Sequence, residues 1–130
     1  MGQKRLGTRD ESLIRAMAPM GGGIASSGGA CGALTGAIAL LGSVMGRGSP
    51  EKRDDPKMWK ACYELYKRFE SEVVGSAGSI NCRDIAGVDW RDRKQTKAFY
   101  KGDGRDKCAD NTGKAARILG EVIEKYLDHQ

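Results

Sequence analysis

A long segment without charged residues is the most restrictive feature of this sequence. No Asp, Glu, Lys or Arg occurs between Arg15 and Arg47, although 30% of the 130 residues are charged. A segment this free of charge in so polar a chain is expected to be buried. Residues 21–30 are rich in glycine and serine, whereas residues 31–46 are apolar. We therefore expect a loop that leads into a buried helix, with Cys31 at the start of that helix.

The glycines of this segment predict that the backbone comes close to another group. Each glycine costs conformational entropy on folding, so a packing contact or an unusual φ is expected to require it. Cys31 is the only reactive side chain in the segment, and we expect the close approach to occur around it. Gly32 and Gly36 are spaced so that a second helix could approach this face of the helix closely.

Composition and length indicate one domain in a reducing compartment. No secretory signal is visible at the N-terminus, so a cytoplasmic location is expected. The apolar residues 31–46 number 16 and include four glycines, fewer than the roughly 20 residues that span a membrane. Residues 83–107 carry eight basic and five acidic residues. This mild excess is typical of a solvated helix face, and no nucleic-acid partner is expected. We expect one domain over residues 1–130, with residues 1–9 as a flexible tail.

Helical periodicity predicts an all-α fold. Apolar residues recur at intervals of three and four over residues 59–73 and again over residues 108–127. The positions expected to face the core in the first of these helices are Trp59, Cys62, Tyr63, Tyr66, Phe69 and Val73. Candidate N-cap residues are Asp10, Asp55 and Asp106. The alternation of β-branched residues that is typical of strands is absent. We expect a small compact domain of about five helices around the Gly/Ala-rich helix of residues 31–46.

Three of the four cysteines lie where helices are expected to begin. Cys31 begins the central helix, Cys82 begins a short turn, and Cys108 follows the candidate cap Asp106. A helix N-terminus presents free N–H groups and a positive partial charge, both of which stabilise a thiolate. Thiolates bind metals and attack disulfides. Cys62 differs, because it lies in the middle of a helix and is interpreted as a small buried hydrophobic residue.

Several familiar chemistries are excluded by missing motifs. The sequence has neither CxxC, the motif of thioredoxin-type redox sites and zinc ribbons, nor CxxCH, which attaches c-type haem. His129 is the only histidine and lies next to the C-terminus, so it is interpreted as a tail residue and not as a ligand. Serine- or cysteine-protease chemistry therefore lacks a base. The glycine-rich loop matches no phosphate-binding motif. Cysteine chemistry is what remains.

The cysteine motifs resemble those of a known family. CGALTG (residues 31–36) follows GGG (residues 21–23), and GSINCRDIAG (residues 78–87) and Lys107-Cys108 come later. This order is similar to the C_GCAxxG_C_C family of redox-active proteins, over residues 12–127. The resemblance implies a small helical, cysteine-based redox or metal-binding module, often encoded near transporter genes. A related domain occurs in split-Soret cytochromes, where an iron–sulfur centre accompanies the haem.

The resemblance also implies which cysteines matter. Cys31, Cys82 and Cys108 match three of the four cysteines of the family. The fourth normally lies in an N-terminal helix ahead of the glycine loop, where this chain has no cysteine. Cys62, a partner chain or a non-cysteine ligand could complete the site, or the activity could have been lost.

Three functional hypotheses follow. In the first, Cys31, Cys82 and Cys108 converge to bind an iron–sulfur cluster, or another thiophilic metal such as zinc, for electron transfer to an unknown redox partner. In the second, no metal is bound and Cys31 attacks a disulfide that Cys82 or Cys108 then resolves. In the third, the Gly32/Gly36 face makes the protein a non-catalytic module that forms a homodimer or docks to a membrane transporter.

Overall fold

A computed structural model describes residues 2–127 of the chain and confirms that the protein is all-α over that range. The helices are α1 Gly2–Leu6, α2 Glu11–Met17, α3 Gly32–Met45, α4 Met58–Phe69, α5 Cys82–Ile85, α6 Arg93–Lys101 and α7 Gly104–Tyr126. A π-helical turn at Glu70–Val74 extends α4, and 3-10 turns follow at Gly75–Ala77 and, after α2, at Ala18–Met20. Two of the seven helices, α1 and α5, have only five and four residues.

The core lies between α3, α4 and α7, each of which packs against the other two. Its buried side chains are Leu34, Ala37, Leu40, Leu41 and Met45 from α3, Ala61, Leu65, Phe69 and Val73 from α4 and its extension, and Ala115, Ile118, Leu119, Val122, Ile123 and Tyr126 from α7. α3 also contacts α1 and α2, in agreement with the predicted central helix. These three long helices form the core, and the shorter elements lie around them.

The N-terminus differs from the flexible tail predicted for residues 1–9. Residues 2–6 form α1, which contacts α3 and α7. Leu6 packs partly buried against the core, and Gly2 lies so close to Leu40 that a Cβ at this position would overlap its side chain. α2 begins as predicted, because the Asp10 carboxylate accepts hydrogen bonds from the backbone N–H groups of Ser12 and Leu13.

The buried face of α4 agrees only in part with the predicted one. Phe69 and Val73 are buried as expected, and Cys62 and Tyr66 pack partly buried against the core, but the two other predicted positions are wrong. Trp59 is 74% exposed and Tyr63 is 66% exposed, whereas Ala61 and Leu65 are buried. Two rows of residues on α4 are apolar and helically spaced: residues 61, 65 and 69, and residues 59, 63 and 66. Spacing alone therefore does not predict which row is buried. Only the first row includes an alanine, which allows the backbone of α4 to approach its neighbours closely.

Charged residues also join α4 to α7 at the surface. The Arg68 guanidinium donates to the carboxylates of Glu72 at 2.6 Å and Glu121 at 2.5 Å. Its hydrogen bonds lower the pKa of both carboxyl groups. The Tyr126 hydroxyl donates to Glu64 at 2.5 Å, and this hydrogen bond lowers the pKa of Glu64. These side-chain contacts join α4 and its π-helical extension to α7.

No helix within residues 2–127 is both long enough and apolar enough to cross a bilayer.

Candidate functional site

The glycine-rich loop adopts a left-handed conformation. Residues 22–26 are five consecutive residues with positive φ, and three of them, Ile24 at 67°, Ala25 at 53° and Ser26 at 58°, are not glycine. A side chain in this region costs of the order of 1–3 kcal/mol. Backbone hydrogen bonds compensate, including Ala25 N–H to Pro19 O at 2.7 Å. Such strained segments are concentrated at functional sites in proteins, which directs attention to what this loop holds.

The loop is tied by its backbone to the segment that precedes α5. Ala30 and Asn81 form an antiparallel bridge. Cys31 N–H donates to Ile80 O at 2.9 Å, and Cys82 N–H donates to Gly29 O at 2.6 Å. Because side chains alternate along an extended backbone, Cys31 and Cys82 lie on the same face of this bridge as diagonal neighbours. The bridge therefore brings together two cysteines that are 51 positions apart.

Gly23 is the position at which the close backbone approach is most demanding. It has a φ of 73°, and a Cβ there would lie 2.7 Å from Cys82 Cβ and 2.6 Å from the backbone nitrogen of Gly29. The predicted close approach therefore exists, but it accommodates Cys82 and not Cys31. The reason is that the loop turns back on itself before it reaches Cys31, so its interior faces the α5 segment.

One cavity of about 340 Å³ is lined by three cysteines. Cys31 comes from the start of α3, Cys82 from α5 and Cys108 from α7. The other lining residues are Gly22, Gly32, Ala33, Ile85, Trp90, Phe99, Tyr100, Arg105, Asn111 and Thr112. Within this lining Arg105 is the one residue with a charged side chain, and it is basic. Cys31, Cys82 and Cys108 therefore line the same cavity, although they come from three separate segments of the chain.

The predicted helix-start position holds for two of the three cysteines. Cys31 is the N-cap of α3, and Cys82 is the first residue of α5. Cys108 is the fifth residue of α7, because that helix begins at Gly104 and not at Asp106. The prediction for Cys108 is therefore wrong: the backbone N–H of a fifth residue already has a partner inside the helix.

The electrostatic surroundings of Cys108 also differ from the prediction. Partial burial raises the pKa of its thiol, and negative charge on Cys82 and Cys31 raises it further. Cys108 is consequently held as a neutral thiol more firmly than an exposed cysteine, unless a cation enters the cavity.

An aromatic cluster forms one wall of the cavity, and sequence reasoning did not identify it. The Trp90 indole N–H donates to Cys82 Sγ at 3.3 Å. The Trp90 ring meets Phe99 edge to face at 4.9 Å, and Phe99 meets Tyr100 at 5.3 Å. The Arg105 guanidinium lies 5.9 Å from the centre of the Tyr100 ring. Trp90 lies in a loop with no periodic pattern, and no motif in the sequence connects it with Cys82.

Cys62 does not line this cavity. It packs partly buried against the core, and its burial raises the pKa of its thiol. These surroundings agree with its interpretation as a small hydrophobic residue and separate it from the proposed ligands. His129, the other residue considered as a ligand, lies outside the described residues.

The Gly32/Gly36 face lies along a separate apolar groove. This groove has a volume of about 560 Å³ and is bordered by residues of α1, α2, α3 and α7. A Cβ on Gly36 would meet no atom within 4 Å, so no other helix within residues 2–127 approaches it closely. A Cβ on Gly32 would lie 3.3 Å from the carbonyl oxygen of Met20.

The cysteine spacing restricts which groups the cavity can hold. Diagonal neighbours have Cβ atoms roughly 7 Å apart, whereas a disulfide requires about 3.8 Å. A direct Cys31–Cys82 disulfide would therefore require backbone movement. Among residues 2–127 no group of three or more His, Cys, Asp or Glu side chains is arranged to hold a single metal ion.

Comparison with protein families identifies the relationship that the motifs indicate. A family model described as "Putative redox-active protein (C_GCAxxG_C_C)" matches residues 1–122. Comparisons with curated proteins and with solved structures find no match. The family match includes the glycine-rich loop and all three cysteines that line the cavity. This chain therefore belongs to the C_GCAxxG_C_C family of redox-active proteins.

Proposed function

We propose that this protein is an electron-transfer module in which Cys31, Cys82 and Cys108 bind an iron–sulfur cluster. The observation that supports the proposal is the cavity of about 340 Å³ that all three cysteines line. Three separate segments of the chain contribute them, and the chain belongs to a redox-active family. Thiolates are the usual protein ligands of such clusters.

The residues around the cavity suit an anionic group. Thiolate ligands bring negative charge, and Arg105 provides positive charge in the lining. α3 begins next to Cys31, so the positive end of its helix dipole lies beside the cavity. Such clusters usually have four cysteine ligands. The three thiols of this cavity therefore leave one ligand position to be filled by a partner chain or a non-cysteine ligand. When bound, the cluster would supply a one-electron couple that thiols alone do not offer.

Metal analysis of single variants tests this proposal. Protein purified without oxygen is expected to contain iron and acid-labile sulfide and to absorb visible light. Cys31→Ser, Cys82→Ser and Cys108→Ser are each expected to lose most of that iron. Cys62→Ser is the matched control and is expected to keep it, because Cys62 does not line the cavity. Colourless wild-type protein after anaerobic reconstitution with iron and sulfide would contradict the proposal.

Thiol–disulfide exchange without metal is the second candidate. The observations that favour it are that one cavity is lined by Cys31, Cys82 and Cys108 and that residues 2–127 contain no group of side chains arranged to hold a single metal ion. The Cys31 thiolate would attack a substrate disulfide, form a mixed disulfide and release one substrate thiolate. Cys108 would then give up its proton and attack Cys31, which releases the second substrate thiolate. The substrate is reduced and the module is left with a Cys31–Cys108 disulfide.

Mass spectrometry distinguishes the second candidate from the first. After incubation of the metal-free protein with oxidised glutathione, the second candidate predicts a Cys31–Cys108 disulfide that dithiothreitol reverses. Cys62 is expected to stay a free thiol and serves as the internal control. Only glutathione adducts, or no change, would count against this chemistry.

A further inference from the structure

The contact between Trp90 and Cys82 is more specific than a packing contact. An indole N–H is a donor only, so it requires an acceptor when it is partly buried. At 3.3 Å the acceptor is the Cys82 sulfur. Phe99 contacts the same indole ring edge to face, and this contact fixes the orientation of the N–H. Neither Cys31 nor Cys108 has a hydrogen bond of this kind among the contacts of the cavity wall.

We propose that Trp90 is a positioning residue that stabilises negative charge on the Cys82 sulfur through its indole N–H. Hydrogen bonds to a ligating sulfur raise the reduction potential of an iron–sulfur centre, because the reduced state is the more negative one. Trp90 therefore makes Cys82 electronically different from the other two cysteines. The part of this inference that concerns reduction potential rests on the proposed function, whereas the hydrogen bond itself does not.

The residues that line the cavity strengthen the hydrogen bond from the Trp90 indole N–H to the Cys82 sulfur. No acidic side chain lines the cavity, so no carboxylate competes with the Cys82 sulfur for the indole N–H. The Trp90 ring is half-buried, and so is Cys82. An N–H donor acts more strongly in such surroundings than in water, since less solvent screens it. The loop that carries Trp90 ends at the capped start of α6, where Asp92 accepts from Lys94 and Gln95 N–H groups.

An experiment on the metal-free protein tests the hydrogen bond. The chain has two tryptophans, so a ¹H–¹⁵N spectrum shows two indole resonances, and Trp90→Phe assigns them. Cys82→Ala is expected to shift the Trp90 indole resonance and to speed its hydrogen exchange about tenfold. The exposed Trp59 indole is the internal control, and Cys31→Ala, in the same cavity, is the matched variant. Equal shifts and equal exchange in the Cys82 and Cys31 variants would overturn the inference.

A second experiment tests the electronic effect on the reconstituted protein. Trp90→Phe keeps an aromatic ring but removes the N–H donor, and it is expected to move the reduction potential to a more negative value. Trp59→Phe, on the exposed face of α4, is expected to leave the potential unchanged. An unchanged potential in Trp90→Phe would overturn the electronic role. If no cluster forms in the wild type, the proposed function fails, and the spectroscopic experiment still decides the hydrogen bond.

Discussion

The helical core and the cysteine cavity are built by different means. The core of α3, α4 and α7 consists of apolar side chains on regular helices, and burial of their surface stabilises it. The cavity is shaped by backbone: a left-handed loop, a single antiparallel bridge and glycines at which no Cβ fits. Side-chain packing tolerates modest changes of shape, whereas backbone contacts at van der Waals distance do not. The site should therefore be the more sensitive region to small substitutions, and the core to large ones.

The largest expected effect is on the core. Phe69→Ala removes a side chain that is 1% exposed, and we expect a loss of about 3–5 kcal/mol in the free energy of unfolding. Denaturant titration followed by circular dichroism measures it. Tyr63→Ala, on the exposed face of the same helix, is the matched control and should change stability by less than about 0.5 kcal/mol. Similar losses in both variants would show that the buried face of α4 is assigned incorrectly.

The next effect contrasts two glycines. Gly23→Ala places a Cβ against Cys82 Cβ and the Gly29 backbone at a positive φ, so we expect it to lose more than about 1 kcal/mol of stability. It is also expected to abolish iron binding. Gly36→Ala has open space and a helical backbone, so it should keep the iron and gain about 0.5–1 kcal/mol. Iron content and thermal unfolding of the two variants measure the contrast. If Gly23→Ala retained its iron, the glycine-rich loop would not be required for the iron site.

The smallest effect concerns the charged surface between α4 and α7. Hydrogen bonds lower the pKa of Glu64, Glu72 and Glu121 in the folded protein. A carboxyl with a lowered folded-state pKa contributes stability above its unfolded pKa, near 4.3, and loses it as the pH falls through the folded value. We therefore expect stability to decline from about pH 5 downward. The decline should be shallower in Arg68→Gln, which removes the partner of two of these carboxylates.

Denaturant titrations between pH 3 and pH 7 measure this difference. Arg91→Gln, which changes an exposed arginine in the loop before α6, is a control of equal charge change. If Arg68→Gln and Arg91→Gln show the same pH dependence, the carboxylates of α4 and α7 do not contribute in the way described.

Much of the helical framework could be predicted from local sequence. Asp10 caps α2 as expected, and the apolar period of α7 matches its buried face. Local sequence patterns did not predict the structure correctly where two of them compete. The aromatic row of Trp59 and Tyr63 has the same spacing as the row that is buried, and the start of α7 has acidic residues at two possible cap positions. In such cases the packing of distant helices decides, and that information is not local.

The amino-acid sequence by itself determined that the chain is helical, that residues 31–46 include a buried central helix, and that its cysteines follow a redox family's order. These properties depend on periodicity, charge and motif, which neighbouring residues define. Only the tertiary structure decided that Cys31 and Cys82 share one face of a backbone bridge, that Cys62 is separate from the cavity, and that Trp90 donates to a sulfur. Those contacts join segments far apart in the chain. These contacts form when the loops close around the helical core, so no local sequence pattern predicts them.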